Sequence, residues 1–344
     1  MSPPRRRSFA HKVVVVTGAS AGLGRSIADA FATEGANVAL LARDGEALEE
    51  LEAELRRRGG QAIGLACDVS DATAIAEAAE RIEAELGPID VWVNCAMLTV
   101  FAPLWKITPE EFKRVTEVTY LGYVYGTMAA VKHMRRRGYG VVVQVGSSLS
   151  YRGIPLQSAY CGAKHAIRGF TDSLRSELIH ERINIRLVMV QLPAMNTPQF
   201  DWARTHMAHQ PRPVAPVIQP EVAARAIVAA ARGSSREVWL GVSTAKVILA
   251  SMLAPGLLDR LLARSAFEAQ ERPTAVQPDR HDNLLQPVHQ LHRAHGSFDA
   301  EAGRYAVALP GEAVRAAAGF LAVAGSLMVG LGAANWIAAR SRRR

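Results

Sequence analysis

The feature that most constrains this chain is a set of short apolar runs recurring through its first two-thirds, at residues 13–17, 38–42, 63–67, 91–94, 141–145, 185–190 and 238–240. Most are nearly continuous rather than alternating. A strand with one wet face alternates apolar and polar residues. A continuous run means that both faces are covered, as in a parallel sheet with helices above and below. Helical stripes lie between the runs. Leu48, Leu51 and Leu55 share one face, and Ile75, Ala79, Ile82 and Leu86 share another. Strands alternating with helices connect by right-handed crossovers. The expected class is therefore α/β, with a doubly wound parallel sheet of seven strands and a C-terminal extension.

Composition narrows the function classes. Of 344 residues, 49% are apolar and 21% charged, so a sizeable core is available and global disorder is excluded. Lys and Arg number 40 against 32 Asp and Glu, a net +8, and residues 5–7 and 342–344 are all arginine. The excess sits largely at the tips. No basic stripe marks a folded face, so no nucleic-acid partner is expected; terminal arginines suit solvent or anionic lipid. Cys67, Cys95 and Cys161 are far apart, with no paired spacing for a disulfide framework or zinc, as in a reducing compartment. Arg6-Arg7-Ser8-Phe9 resembles a twin-arginine export signal. The apolar run after it is too short for one and leads straight into a glycine loop, so a cytoplasmic location is expected.

That loop, Thr17-Gly18-Ala19-Ser20-Ala21-Gly22-Leu23-Gly24, follows the first run and opens a helical segment. Glycines there let the backbone turn tightly and approach a pyrophosphate, and a helix N-terminus offers free N–H groups. Further on, Tyr160 and Lys164 stand four apart in a helical segment and share a face. A free phenol ionises near ~10. An ammonium on the same face favours the phenolate, so Tyr160 could exchange a proton with a carbonyl or alcohol oxygen. Ser147 lies thirteen residues before Tyr160, just after the fifth run, which places its hydroxyl at the carboxyl edge of the sheet.

In this order, the T-G-x-x-x-G-x-G loop, Asp68-Val69, Asn94-Cys95-Ala96, Ser147 and Tyr160-x-x-x-Lys164 resemble the short-chain dehydrogenase/reductase family over roughly residues 10–245. The resemblance implies a Rossmann-type fold and hydride transfer between a nicotinamide and a carbonyl or secondary alcohol. It assigns Ser147, Tyr160 and Lys164 to catalysis. Gly18, Ser20, Ala21, Gly22, Leu23 and Gly24 would hold the dinucleotide, with Asp68 and Val69 at the adenine and Asn94 after the fourth strand. Tyr160, Lys164, Pro193 and Thr197 would meet the nicotinamide half, and a homo-oligomer is implied. Where an acidic residue would select NAD, the second strand ends in Ala42 followed by Arg43, which can pair with a 2′-phosphate; NADP(H) is expected over NAD(H). Two departures stand out. Thr119 takes the place of the family Asn that supports a proton relay, and Pro193-Ala194 replaces Pro-Gly. Trp202, His206 and Met207 fall where the family carries a substrate lid, either touching substrate or packing the lid on the body.

The remaining text divides the chain into a dehydrogenase domain at 1–245, an apolar helix and irregular arm at 246–310, and a terminal segment at 311–344. The helix is expected to break at Pro255-Gly256. His281, His289, His292 and His295 lie in a Pro- and Gln-rich arm that offers no preorganised second shell, so no metal is expected. Residues 316–339 form 24 residues without charge, containing Gly319, Gly325, Gly330, Gly332 and Trp336. A span would place the arginine tip and the enzyme on opposite sides, against the positive-inside rule. An interfacial or re-entrant helix resolves the conflict, so membrane contact through 316–339 is expected, the alternative being a buried or self-associating helix. The expectation is an NADP(H)-dependent oxidoreductase acting on a small hydrophobic carbonyl or alcohol. The alternative is a catalytically weak cofactor-binding regulator or membrane scaffold on the same fold.

Overall fold

The computed structural model describes residues 8–320. The terminal arginines, Gly325, Gly330, Gly332 and Trp336 lie outside the described residues, as does most of the apolar terminal run. The apolar runs all become strands of one sheet: β1 (Val13–Thr17), β2 (Asn37–Ala42), β3 (Ala62–Ala66), β4 (Ile89–Asn94), β5 (Tyr139–Val145), β6 (Asn184–Gln191) and β7 (Glu237–Leu240). They run parallel in the order β3-β2-β1-β4-β5-β6-β7. The chain leaves β1 towards one edge and returns to β4 on the other side. This reversal opens a crevice at the carboxyl ends of β1 and β4.

Alternate residues of each strand face opposite layers. Val14 and Val16 pack with α1 (Gly22–Thr33), α2 (Gly45–Arg57) and a helix at Pro220–Arg232. Val13 and Val15 pack with residues of α3 (Ala72–Glu85), α4 (Pro109–Thr116), α5 (Gly122–Arg137) and α6 (Ser158–His180). Leu48, Leu51 and Leu55 are buried, as are Ile75, Ala79 and Ile82, so both expected stripes face the sheet.

The sheet carries one strand more than the seven expected. β8 (Ala308–Pro310) pairs antiparallel with β7, Trp239 opposite Leu309. An antiparallel edge strand needs no βαβ crossover, so a returning extension can add one in three residues, too few to leave a sequence pattern. Before it, the apolar segment forms two helices, Val242–Leu253 and Pro255–Ser265, broken at the expected proline, whose missing N–H is harmless in a first turn. Residues 276–307 hold no long element and wrap back across the carboxyl edge of the sheet. Among the described residues, no helix is long and apolar enough to cross a membrane.

Candidate active site

The glycine loop joins β1 to α1 through a turn with no room for a side chain at Gly18 or Gly24. Gly18 has φ +73°, and a Cβ on Gly24 would stand 2.0 Å from the Gly18 carbonyl oxygen. The Thr17 hydroxyl accepts hydrogen bonds from the Cys95 and Ala96 amides at 2.9 and 3.1 Å, tying the ends of β1 and β4 together. The helix begins at Gly22, inside the loop, so its N-terminal end lies at the crevice that the loop lines.

A cavity of about 430 Å³ runs along this edge. Gly18, Ser20, Ala21, Gly22, Leu23 and Gly24 line its middle. Arg43, Asp68 and Val69 line one end, and Ser147, Tyr160, Lys164, Pro193 and Thr197 lie toward the other. Asn94 is the expected site residue that does not line it. Its side chain is fully buried behind the wall, donating to Gln144 Oε1 (2.9 Å) and Thr127 Oγ1 (3.0 Å) and accepting from Trp92 Nε1 (2.8 Å). It ties β4 to β5 and α5 and so acts on the site only through the sheet. Cys95 and Ala96, just past the end of β4, line the cavity instead.

Ser147 caps a short turn after β5, its hydroxyl accepting from the Leu149 amide at 3.1 Å. Burial raises the Tyr160 phenol above its ordinary value, and a hydrogen bond with Ser147 works the other way. Lys164 is also buried. Its Nζ donates to the Val145 carbonyl (2.8 Å) and the Tyr123 hydroxyl (3.0 Å) and lies 5.6 Å from the centre of the Tyr160 ring. Burial pulls this ammonium down to about 7. The protein thus drives both groups towards their neutral forms. Burial dominates the phenol, and it is the Ser147 hydrogen bond, not the expected charge of Lys164, that opposes it.

Thr119 does not reach Lys164. It sits in a π-helical turn, Glu117–Leu121, where its hydroxyl donates to the Leu98 carbonyl and accepts from the Leu98 amide, both at 2.9 Å. Tyr123, four residues on, supplies the hydroxyl beside the lysine. Sequence reasoning missed it, because the π-helical turn before it changes which side chains point inward.

At the far end, Asp68 accepts from the Ser70 amide and hydroxyl and pairs with Arg114. Burial works to raise the Asp68 carboxyl, but these partners outweigh it and hold it below the usual range. Arg43 is drawn down from its ordinary value by burial, against the pull of Asp68. In the lid, Trp202 lines the cavity, whereas His206 bonds Glu111 of α4 (2.9 Å) and Met207 packs with Phe101 and Leu156. The indole Nε1 of Trp202 and the Gln199 Nε2 are buried without partners. His289 and His292 face Asp44, and His295 faces Glu221 and Asp299. No group of three or more such side chains among the described residues is placed to hold a metal ion.

The cradle fits a dinucleotide. The glycine turn leaves space only backbone can border, helix amides stand at its middle, and the cavity continues from there to both ends. The sequence model of the family described as short chain dehydrogenase matches residues 12–207. The chain is 36% identical over 267 residues to the uncharacterized oxidoreductase YxnA of Bacillus subtilis, covering 76% of this chain and 75% of that protein. It is 30% identical over 225 residues to a fatty acyl-CoA reductase of Acinetobacter baylyi, covering 65% and 74%. Among solved structures it resembles NAD+-bound xylitol dehydrogenase, with a TM-score of 0.52 and 31% identity over 55% of this chain and 72% of that one. A parallel sheet reversing at a glycine turn, with serine, tyrosine and lysine beside it, thus meets matching relatives, and the chain belongs to the short-chain dehydrogenase/reductase family of oxidoreductases.

Proposed function

We propose that this protein is an NADP(H)-dependent reductase of an apolar ketone or aldehyde, or the dehydrogenase of the matching alcohol. The observation that carries the reading is the common wall shared by Ser147, Tyr160, Lys164 and the glycine turn. A bound nicotinamide supplies or accepts the hydride. Tyr160 holds the proton that goes to, or comes from, the substrate oxygen. Ser147 donates to that same oxygen as its charge grows. Lys164, fixed by Val145 and Tyr123, places positive charge behind the phenol when protonated and favours the phenolate as it forms.

Arg43 supports the preference for NADP(H). Its three hydrogen bonds go to neutral carbonyl groups, so Asp68 attracts it without being bonded to its fork, and Ala42 puts no carboxylate at the strand end. The substrate end supports an apolar molecule with an acceptor atom: Leu149, Ile154, Val247, Leu258 and Leu262 line it, beside the unpartnered N–H groups of Gln199 and Trp202. This suits the chemistry named for the fatty acyl-CoA reductase better than that of a polyol.

The test is Tyr160→Phe, assayed with NADPH against a panel of aliphatic ketones and aldehydes. Turnover should fall about 100- to 10,000-fold while NADPH still binds. A variant as fast as the wild type would remove the proposed acid. Wild-type protein that binds nucleotide but turns over nothing on the panel would favour a regulatory role instead.

A further inference from the structure

The irregular arm follows the second apolar helix. Its contacts are concentrated on the dinucleotide site. Arg43, at the end of β2, donates to the carbonyl oxygens of Asn283 (2.6 Å), Leu285 (3.0 Å) and Leu284 (3.4 Å). Arg114, which pairs with Asp68 at the end of β3, also donates to Leu284 O at 3.2 Å. Leu284 itself is buried in the apolar cluster that holds Val69 and Val115. Further on, His292 Nε2 lies 3.0 Å from the buried Asp44 carboxylate. The amide of Gly22, at the first turn of α1, donates to Arg293 O at 2.9 Å. Gly296 then rests against the turn after β6, so closely that a Cβ there would lie 2.4 Å from Thr197 O.

Each tie falls on or next to a position that the site uses: the ribose end, the adenine end, the pyrophosphate turn and the nicotinamide end. Between the ties, Asn283, Pro287, Val288 and His292 line the cavity itself. Asn283 is 9% exposed, and its carboxamide oxygen is buried without a partner. An unpaired buried acceptor is costly, and an N–H donor on a group bound in the cavity would relieve the cost.

We infer that residues 283–296 form a strap that closes over the bound dinucleotide and belongs to its binding site. This rests on the dinucleotide-binding reading above. The nucleotide enters and leaves when the strap lifts from Arg43, Asp44 and Gly22, and Asn283 and His292 position its adenosine half. Arg43 then has two tasks, anchoring the strap through part of its fork and meeting the nucleotide with the rest.

The test uses the full chain. Amide hydrogen exchange over residues 281–299 is measured with and without NADPH, and NADPH release is followed by stopped-flow fluorescence in the wild type, His292→Ala and Asn283→Ala. Bound NADPH should slow exchange across the strap, and each variant should release NADPH about tenfold faster, the loss of one hydrogen bond to a charged or buried group. Unchanged exchange and unchanged release would make the arm a bystander. Faster exchange on binding would make it a plug that the nucleotide displaces. Either result overturns the strap while leaving the dinucleotide reading intact. A wild type that binds neither NADPH nor NADH would defeat both.

Discussion

Lys164 shows how much a single position is asked to do. Its ammonium is enclosed by protein and bonded to two neutral oxygens, with its ordinary value pulled down to about 7 by burial. Between that value and ~10.4 the unfolded chain binds more protons than the folded one, so this group makes stability rise with pH; the burden is full below the folded value and fades above it. Urea midpoints of the nucleotide-free wild type should therefore climb from pH 7 to 9 more steeply than those of Lys164→Met. Equal slopes would mean that the lysine is not desolvated. Tyr123→Phe should lower the lysine further, because it removes an acceptor that favours the charged form, and the basic limb of turnover should move to lower pH. That Ser147, Tyr160 and Lys164 line one cavity was expected from their spacing together with the family resemblance, since each sits in or beside a regular element. Tyr123 was not. The π-helical turn before it changes which side chains point inward, and no residue pattern in 117–121 announces that turn. Asn94 stands at the expected end of β4, with its side chain bonded to Trp92, Thr127 and Gln144 rather than lining the cavity.

At the scale of elements, the loop before α1 carries the tightest constraint. Gly24→Ala would drive a methyl into the Gly18 carbonyl, so the helix start must move. That should cost about 1–3 kcal/mol in chemical denaturation and weaken nucleotide binding as well. Gly256, in contrast, has open space around it and makes a control: Gly256→Ala should leave nucleotide affinity unchanged. The strands and main helices could be read from the sequence because burial on two faces, or along one stripe, writes a period into it. The eighth strand could not, because a three-residue edge strand is chosen by the neighbour that it pairs with.

Across the whole molecule, one buried carboxylate reinforces the β7–β8 pairing that joins the extension to the sheet. Glu237, at the start of β7, accepts from Tyr151 (2.7 Å), Gln191 (2.8 Å) and Arg315 (2.7 Å), so it joins β6, the turn after β5 and the segment after β8. Burial first, and this carboxylate second, push the Tyr151 phenol up to about 12, so it stays a donor. Glu237→Gln should lower thermal stability by about 2 kcal/mol through the lost charge-assisted bonds, with little change in nucleotide affinity. Differential scanning of the variant beside the wild type checks this, and an unchanged midpoint would show that the extension is held elsewhere. The sequence by itself determined the parallel sheet, its crossovers and the glycine turn, because each depends on local period or short spacing, and with the family resemblance it brought Ser147, Tyr160 and Lys164 to one cavity. Tertiary structure alone decided that the arm roofs the crevice, that Arg43 meets its carbonyl groups and that Tyr123 braces the lysine. Those contacts run through backbone atoms or join residues far apart in the chain, and neither leaves a mark in the order of side chains.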